Sequence, residues 1–195
     1  MNRRTFSQLT TLSGFGLSTN SLWPQIRNTD ETYQYNLNYA PHLGMFRNHV
    51  GNNPIDQLNF MADKGFRAFE DNDMRKREVG LQKKMAATME KRGLQMGVFV
   101  AHEIYWKKPN LASGDSELRL EFLDYIKKAI TVAKRVNARW MTVVPGHVDM
   151  RQNMAYQTAH VVESLKQASG LLEPHGIVMV LEPLNFRDHP GLFLS

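Results

Sequence analysis

The sequence predicts an α/β fold, a partial (β/α)8 barrel made of about the first five βα units. Five strand patterns alternate with four helix patterns from residue 33 onward, and this strict order implies parallel strands joined by right-handed crossovers. The turn after the first strand pattern, residues 40–44, lacks the glycine-rich phosphate loop that an open doubly wound sheet favours. Charged or polar residues follow the ends of the strand patterns, where barrel enzymes carry their chemistry.

The five strands are predicted where apolar residues alternate with polar ones or form short runs bounded by turns. In the first strand, tyrosines and a leucine alternate with glutamine and asparagine before Pro41. The last strand is entered through Gly176 and ends at Glu182, which predicts a buried strand of a parallel sheet. The predicted ranges are residues 33–39, 66–69, 94–100, 140–144 and 177–181.

The four helices are predicted from apolar residues that recur every three or four positions. Asn53 and Pro54 supply a cap and a first-turn proline for the first helix, and Gly65 ends it. The second helix is predicted at about residues 75–92 and the fourth at about residues 153–172. The predicted inward residues are, helix by helix, Ile55, Leu58 and Met61; Val79, Met85 and Met89; Leu118, Phe122, Ile126, Ile130 and Ala133; and Ala155, Ala159, Val162 and Leu165.

The length of the chain and the composition of its first thirty residues predict two segments, residues 1–30 and residues 31–195. A complete barrel takes about 250 residues, so we expect residues 31–195 to be the N-terminal part of a barrel that is truncated before its last three units. Residues 1–30 include Arg3 and Arg4 before Phe6 and a mildly apolar stretch, which resembles a twin-arginine export signal. This resemblance implies a periplasmic protein; the alternative is a disordered tail on a cytoplasmic one.

Composition excludes several classes of partner. No apolar run approaches the ~20 residues of a membrane span, and the absence of cysteine excludes disulfides, thiol nucleophiles and thiolate metal sites. The net charge of +5 includes three arginines without an acid in residues 1–29, and no basic cluster stands out elsewhere. We therefore expect no membrane and no nucleic-acid partner. Because both outer strands of a partial barrel are open edges, we expect the chain to associate with itself.

The candidate functional residues lie within a few positions of the strand ends, which converge on one mouth in a barrel. Glu182 is the strongest, because a carboxylate there can ligate a divalent metal and transfer a proton. Its alternative role is a structural bond to backbone amides or to Arg187. His102 could bond a substrate hydroxyl, whereas Glu70 could belong to a solvated acidic loop. The full set is Asn38, His42, Glu70, His102, Glu103, His147, Glu182 and Asn185.

Residues 182–191, EPLNFRDHPG, resemble hydroxypyruvate isomerase, a branch of the xylose-isomerase-like (sugar phosphate isomerase/epimerase) TIM barrel family. Residues 65–74 and 94–103 resemble the second and third strands of that branch. The resemblance implies that Glu182 is a catalytic and metal-ligating glutamate, and that a divalent metal, Mg²⁺ or Mn²⁺, is bound with other ligands that this chain lacks. It implies a small hydroxy-carbonyl substrate, with binding residues Glu70, His102, Asn185, Arg187 and Asp188.

The reaction that the resemblance implies interconverts hydroxypyruvate and tartronate semialdehyde through an enediolate, with Glu182 as acid and base. A ketose 3-epimerase of the same barrel family is one alternative, and an inactive barrel fragment is another. A zinc DNA-repair nuclease with His102, His147 and Glu182 as ligands is a further alternative, which the near-neutral body of the chain disfavours.

Overall fold

The computed structural model describes residues 33–193. The predicted export signal in residues 1–30 lies outside this range. The helices are α1 (Arg47–Val50), α2 (Pro54–Asp63), α3 (Val79–Arg92), α4 (Ser116–Val136) and α5 (Met154–Leu172). The strands are β1 (Ala68–Phe69), β2 (Gln95–Met96), β3 (Trp140–Val143) and β4 (Val178–Leu181).

The strands lie side by side in the order of the sequence and all run parallel. β1 pairs with β2, and β3 pairs with β4. The two pairs join where the chain beyond β2 reaches β3, because the Thr142 amide donates to the Phe99 carbonyl at 2.8 Å and the Ala101 amide donates to the Thr142 carbonyl at 3.0 Å. Parallel neighbours in sequence order, each pair linked by a helix, form an arc of a barrel wall. The predicted partial barrel is confirmed.

The predicted first strand at residues 33–39 is wrong. That segment is exposed and forms no strand, and the parallel bridge to the second strand falls later, between His42 and Glu70. The physical reason is aromatic packing: Tyr35 stacks on Phe66 with ring centroids 4.9 Å apart and meets Tyr39 edge-on at 5.6 Å. Pro41 then has no amide hydrogen to extend a ladder.

Two helix predictions also need correction. The second helix begins at Val79 rather than near Arg75, because a short 3₁₀ turn, Met74–Lys76, precedes it. Val79, predicted to lie inward, is exposed at this first helical position. The inward face of α5 is rotated from the predicted one, since Ala155, Ala159 and Val162 are exposed. Its buried residues are Gln157, Val161, Ser164, Ala168 and Leu172.

Three glutamines are buried on the inward faces of their helices. Gln57, Gln82 and Gln157 each lie in the first turn of a helix and bond backbone atoms of the preceding loop. The Gln82 amide donates to the carbonyls of Met74 and Arg77, both at 2.9 Å. Gln157 accepts from the Asp149 amide at 2.8 Å and Gln57 from the Gly44 amide at 2.7 Å. These bonds satisfy loop backbone groups that would otherwise be costly to bury, so they fix the loops that carry the strand-end residues.

The hydrophobic core lies between the outer face of the strands and helices α2 to α5. Phe69, Phe99 and Met141 are fully buried there, as are Met85 and Ile126 from the helices. Burial of each such side chain contributes about 1.5–3 kcal/mol, so the core sets the positions of the strand ends. No helix within residues 33–193 is long and apolar enough to span a membrane.

β4 departs from the prediction of a buried strand. Val178 and Val180 are 53% and 38% exposed, and Leu181 is 40% exposed. The reason is that β4 pairs only with β3 among the described strands, so its other edge is open.

Candidate functional site

A cavity of about 240 Å³ lies at the carboxyl ends of the strands and brings Glu182 and His102 together. Glu182 follows β4 and His102 follows the extension of β2. The ends of β1 and β3 contribute as well, through Asp73 and Val144. The residues that matter for its chemistry are Asp73, Lys76, His102, Glu103, Trp106 and Glu182.

Glu182 is held by its backbone and free at its carboxylate. Its amide donates to the Val143 carbonyl at 3.1 Å, which continues the β3–β4 ladder by one bond. The residue is exposed, and its side chain forms no hydrogen bond or ion pair with any residue from 33 to 193. Arg187, its predicted structural partner, is exposed as well and is not bonded to it in this range. The carboxylate of Glu182 is therefore available to a ligand.

His102 is 1% exposed and both of its ring nitrogens are bonded to backbone. The Val144 amide donates to Nε2 at 3.2 Å, so Nδ1 carries the hydrogen and donates it to the Glu103 carbonyl at 2.8 Å. Burial lowers the pKa of His102 to about 4, against a partial opposing effect of the bond to Glu103. The ring is neutral and ties the end of β3 to the segment after β2. A substrate hydroxyl would have to replace the Val144 amide to bond to Nε2.

Glu103 belongs to a charged cluster on the cavity wall. Its carboxylate lies 3.2 Å from Nη2 of Arg75 and 3.6 Å from Nζ of Lys76. Arg75 is mostly buried and also lies over the ring of Tyr125 at 5.0 Å. Arg75 therefore neutralises Glu103 without help, and Lys76 is held loosely.

The other predicted substrate-binding residues do not line the cavity. Glu70 is half-buried, and its backbone bonds to Pro41 and Leu43. Nδ2 of Asn185 donates to the Asp188 carboxylate at 3.0 Å, and the Asp188 amide donates to the Asn185 side chain at 2.9 Å. These two residues stabilise a turn.

Residues 183–193, which we call the strap, fold back over the mouth after Glu182. The ring of His189 lies 5.5 Å from that of Trp106. The Val148 amide then donates to the Gly191 carbonyl at 2.8 Å and the Phe193 amide to the Gly146 carbonyl at 2.6 Å. Phe193 is buried by this return. The strap therefore links the end of β4 to the loop after β3.

His42 and His147 repeat the local geometry of His102. In each, Nδ1 lies within 2.8 Å of the carbonyl oxygen of the next residue, at 2.6 Å for His42 and for His147. Neither His42 nor His147 lines the cavity. The zinc set of the nuclease alternative, His102, His147 and Glu182, is not brought together in residues 33–193.

A resident metal is not supported by the described side chains alone. Residues 33–193 contain no group of three histidine, aspartate or glutamate side chains that could hold an ion. Glu182 offers one carboxylate that is unpaired within residues 33–193, whereas a catalytic metal needs about three protein ligands. Magnesium or manganese binding stays a prediction, and the chemistry proposed for this site uses the protein's own side chains.

Lys76 and Trp106 line the cavity but were not predicted. The helical pattern of the sequence includes Lys76, whereas the helix begins at Val79. The position of Lys76 soon after the second strand is the signal that could have identified it as a residue of the site. Asp73 lines the cavity as well, and its carbonyl accepts from the Lys76 amide at 2.8 Å. A larger groove of about 820 Å³ lies at the other end of the strands, between α3 and α4. None of the candidate functional residues lines this groove, and barrel chemistry takes place at the carboxyl ends of the strands.

Comparisons with known proteins agree with this architecture. The chain matches AP endonuclease, family 2, from Brucella melitensis with 23% identity and a TM-score of 0.66, over 80% of this chain and 58% of that one. It matches 3-keto-D-glucoside 4-epimerase from E. coli with 18% identity and a TM-score of 0.60, over 76% and 57%. It matches D-psicose 3-epimerase from Clostridium cellulolyticum H10 with 13% identity and a TM-score of 0.61, over 80% and 55%.

At these identities the structures show the fold alone, and the chain spans little more than half the length of each. No curated protein matches the chain. A family model described as "Xylose isomerase-like TIM barrel" matches residues 58–193, most of the chain. This chain therefore belongs to the xylose isomerase-like TIM barrel family.

Proposed function

We propose that the chain carries the active-site glutamate of an isomerase that interconverts hydroxypyruvate and tartronate semialdehyde. The observation that carries the proposal is the carboxylate of Glu182, which lies in a small cavity at the strand ends and has no bonded partner among residues 33–193. The resemblance of residues 182–191 to hydroxypyruvate isomerase supports the choice of substrate.

The size of the cavity favours a small metabolite. Drug-sized ligands occupy pockets of about 300–1,000 Å³, whereas this cavity measures about 240 Å³. Its wall combines apolar contacts from Val100 and Leu184 with charged groups from Lys76, Glu103 and Glu182. Such a wall suits a short, strongly polar compound.

In the proposed reaction, the Glu182 carboxylate removes a proton from the hydroxymethyl carbon of hydroxypyruvate. The electron pair of the broken C–H bond forms a carbon–carbon double bond, and the carbonyl π pair moves onto its oxygen, which gives an enediolate. Glu182 then returns the proton to the former carbonyl carbon. The hydroxymethyl oxygen gives up its proton and becomes the aldehyde oxygen, while the former carbonyl oxygen is protonated to the new hydroxyl.

The remaining residues position the carboxylate and the substrate. The bond from the Glu182 amide to Val143 holds the glutamate at the strand end. Neutral His102 fixes the loop opposite and adds no positive charge that would pair with Glu182. A carboxylate that has no cationic partner within residues 33–193 can approach the hydroxymethyl carbon of a bound substrate without first breaking an ion pair.

The test is a proton nuclear magnetic resonance assay in D₂O, with Mg²⁺ or Mn²⁺ added and with a parallel EDTA-treated sample. We expect deuterium to enter the hydroxymethyl position of hydroxypyruvate and tartronate semialdehyde to form, and the EDTA-treated sample shows whether either process depends on the added metal. D-Psicose serves as the matched neutral ketose. Turnover of D-psicose without hydroxypyruvate turnover would favour the ketose 3-epimerase alternative, and turnover of neither would contradict the proposal.

A further inference from the structure

We propose that Lys76 binds the carboxylate of the substrate and so selects a keto acid over a neutral ketose at the same site. This inference rests on the proposed function, because it concerns the ligand of the cavity that contains Glu182. It adds the chemical class of substrate and the residue that determines it.

Within residues 33–193, the lining of the cavity contains a single lysine or arginine. Asp73, Glu103 and Glu182 contribute three carboxylates, and Lys76 contributes the one ammonium group. His102 is neutral, since both ring nitrogens are bonded to backbone and the ring is buried. An anionic substrate is repelled by the carboxylates unless its own carboxylate lies against Lys76.

Glu103, the carboxylate beside Lys76, does not need the positive charge of Lys76 for its neutralisation. Glu103 already pairs with Arg75 at 3.2 Å, and only 14% of the Arg75 side chain is exposed. The link from Lys76 to the same oxygen is longer, at 3.6 Å, and the Lys76 side chain is 56% exposed. Glu103 is therefore neutralised by the better-buried guanidinium, and Lys76 can turn to a ligand with little loss.

The backbone places Lys76 where a substrate can reach it. The 3₁₀ turn Met74–Lys76 lies between β1 and α3, and the carbonyl of Met74 within it accepts a bond from buried Gln82 at 2.9 Å. The turn is thus anchored from below while the side chain of Lys76 lies on the cavity wall. An anchored backbone with a mobile ammonium group suits recognition of a carboxylate at the end of a short substrate.

The experiment compares two pairs of compounds that differ only by a carboxylate in place of a hydroxymethyl group. Turnover is measured with hydroxypyruvate and with dihydroxyacetone, and binding with sodium glycerate and with glycerol. Binding is followed without turnover through the fluorescence of Trp106, which lines the cavity and is 48% exposed. Trp23→Phe and Trp140→Phe remove the emission of the other two tryptophans of the chain.

We expect Lys76→Met to raise the KM for hydroxypyruvate and the Kd for glycerate by about tenfold, the low end of the effect of losing a hydrogen bond to a charged group. The kcat should change little, because the carboxylate of the substrate keeps its charge throughout the reaction, so its contact with Lys76 acts alike on ground state and transition state. Dihydroxyacetone and glycerol should be unaffected. Lys76→Arg should retain the affinity for glycerate, and Lys107→Met, an exposed lysine outside the cavity, should behave as wild type.

Three results would overturn the inference. If the wild type converts hydroxypyruvate and Lys76→Met has an unchanged KM, Lys76 does not bind the carboxylate, although the proposed function stands. If Lys76→Met weakens both members of each pair equally while circular dichroism shows a folded protein, the residue shapes the cavity without selecting charge. If the wild type neither binds glycerate nor converts hydroxypyruvate, the proposed function and this inference fail together.

Discussion

At the scale of single residues, His102 links the stability of the mouth to pH. The buried ring has a pKa of about 4, whereas the unfolded chain titrates at 6.5. As pH falls below 6.5 the unfolded state binds a proton that the folded state does not bind until about pH 4. The stability that the neutral ring confers is therefore complete above pH 6.5 and is lost as pH falls toward 4.

We expect this residue alone to lower the free energy of unfolding by about 3 kcal/mol between pH 7 and pH 4. Urea unfolding at several pH values measures the effect. The variant His102→Asn should be less stable at pH 7 but should lose less stability on acidification. His175→Asn, an exposed histidine on the chain that leads into β4, is the control and should keep the wild-type slope. Equal slopes for wild type and His102→Asn would contradict the assignment.

Among the residues of the site, the role of Glu182 could be predicted from the sequence, whereas the bonding of His102 and the position of Lys76 could not. Glu182 was found because an apolar run followed by a carboxylate is a local signal. The bonding of His102 was not, because its partner Val144 lies 42 residues away along the chain. The sequence does not single out Lys76, because the helical pattern of about residues 75–92 includes it. In the structure Glu78 caps the helix by accepting from the Leu81 amide, and Gln82 bonds the preceding loop, so the helix begins at Val79.

At the scale of elements, the strap depends on a glycine. Gly191 has a φ of +85°, and a Cβ added there would collide with Nε2 of His147. Both the left-handed backbone and the contact with the ring require glycine at this point. This pairing explains why the strap can return to residues 146–148 and hold the segment that follows Glu182.

We expect Gly191→Ala to destabilise the strap by about 1–2 kcal/mol, the cost of a left-handed conformation for an L-residue. Hydrogen exchange of residues 183–193 should increase, while exchange in α4 should not change. The double variant Gly191→Ala, His147→Ala should recover part of the loss, because it removes the collision but not the backbone strain. Gly170→Ala, in α5 with open space around it, is the control and should be neutral or stabilising. Unaltered exchange in the strap would rule out this role for Gly191.

Helix α4 follows its sequence pattern, whereas helix α5 does not. α4 matched because Phe122, Ile126 and Ala133 repeat on one face that meets the core. The buried face of α5 differs from the predicted one because Gln157 and Ser164 occupy it in place of apolar residues. Gln157 bonds the Asp149 backbone, and Ser164 accepts from Arg119 at 3.1 Å. Apolar periodicity cannot detect a buried face whose polar groups are satisfied by distant partners.

At the scale of the whole molecule, the barrel arc ends in an exposed strand. Val178, Val180 and Leu181 leave the outer edge of β4 partly apolar and open within residues 33–193. Unpaired strand edges of this kind pair with other chains. We therefore expect the 195-residue protein to associate in a concentration-dependent way, as measured by multi-angle light scattering.

Val180→Lys should reduce that association, because a lysine on an edge strand opposes pairing with another strand. Val162→Lys places the same charge on an exposed position of α5, 49% exposed, and should leave association unchanged. A wild-type protein that stays monomeric over a wide concentration range would show that the β4 edge is not a contact surface.

Turnover of hydroxypyruvate by Glu182→Gln shows whether the Glu182 carboxylate transfers the proton. The amide keeps the size of the side chain but cannot accept the proton, so we expect kcat to fall by about 10²–10⁴-fold with an unchanged circular dichroism spectrum. Glu173→Gln, an exposed glutamate at the end of α5 and away from the cavity, should retain full turnover. Near-normal turnover of Glu182→Gln at saturating substrate and metal would show that Glu182 does not transfer the proton.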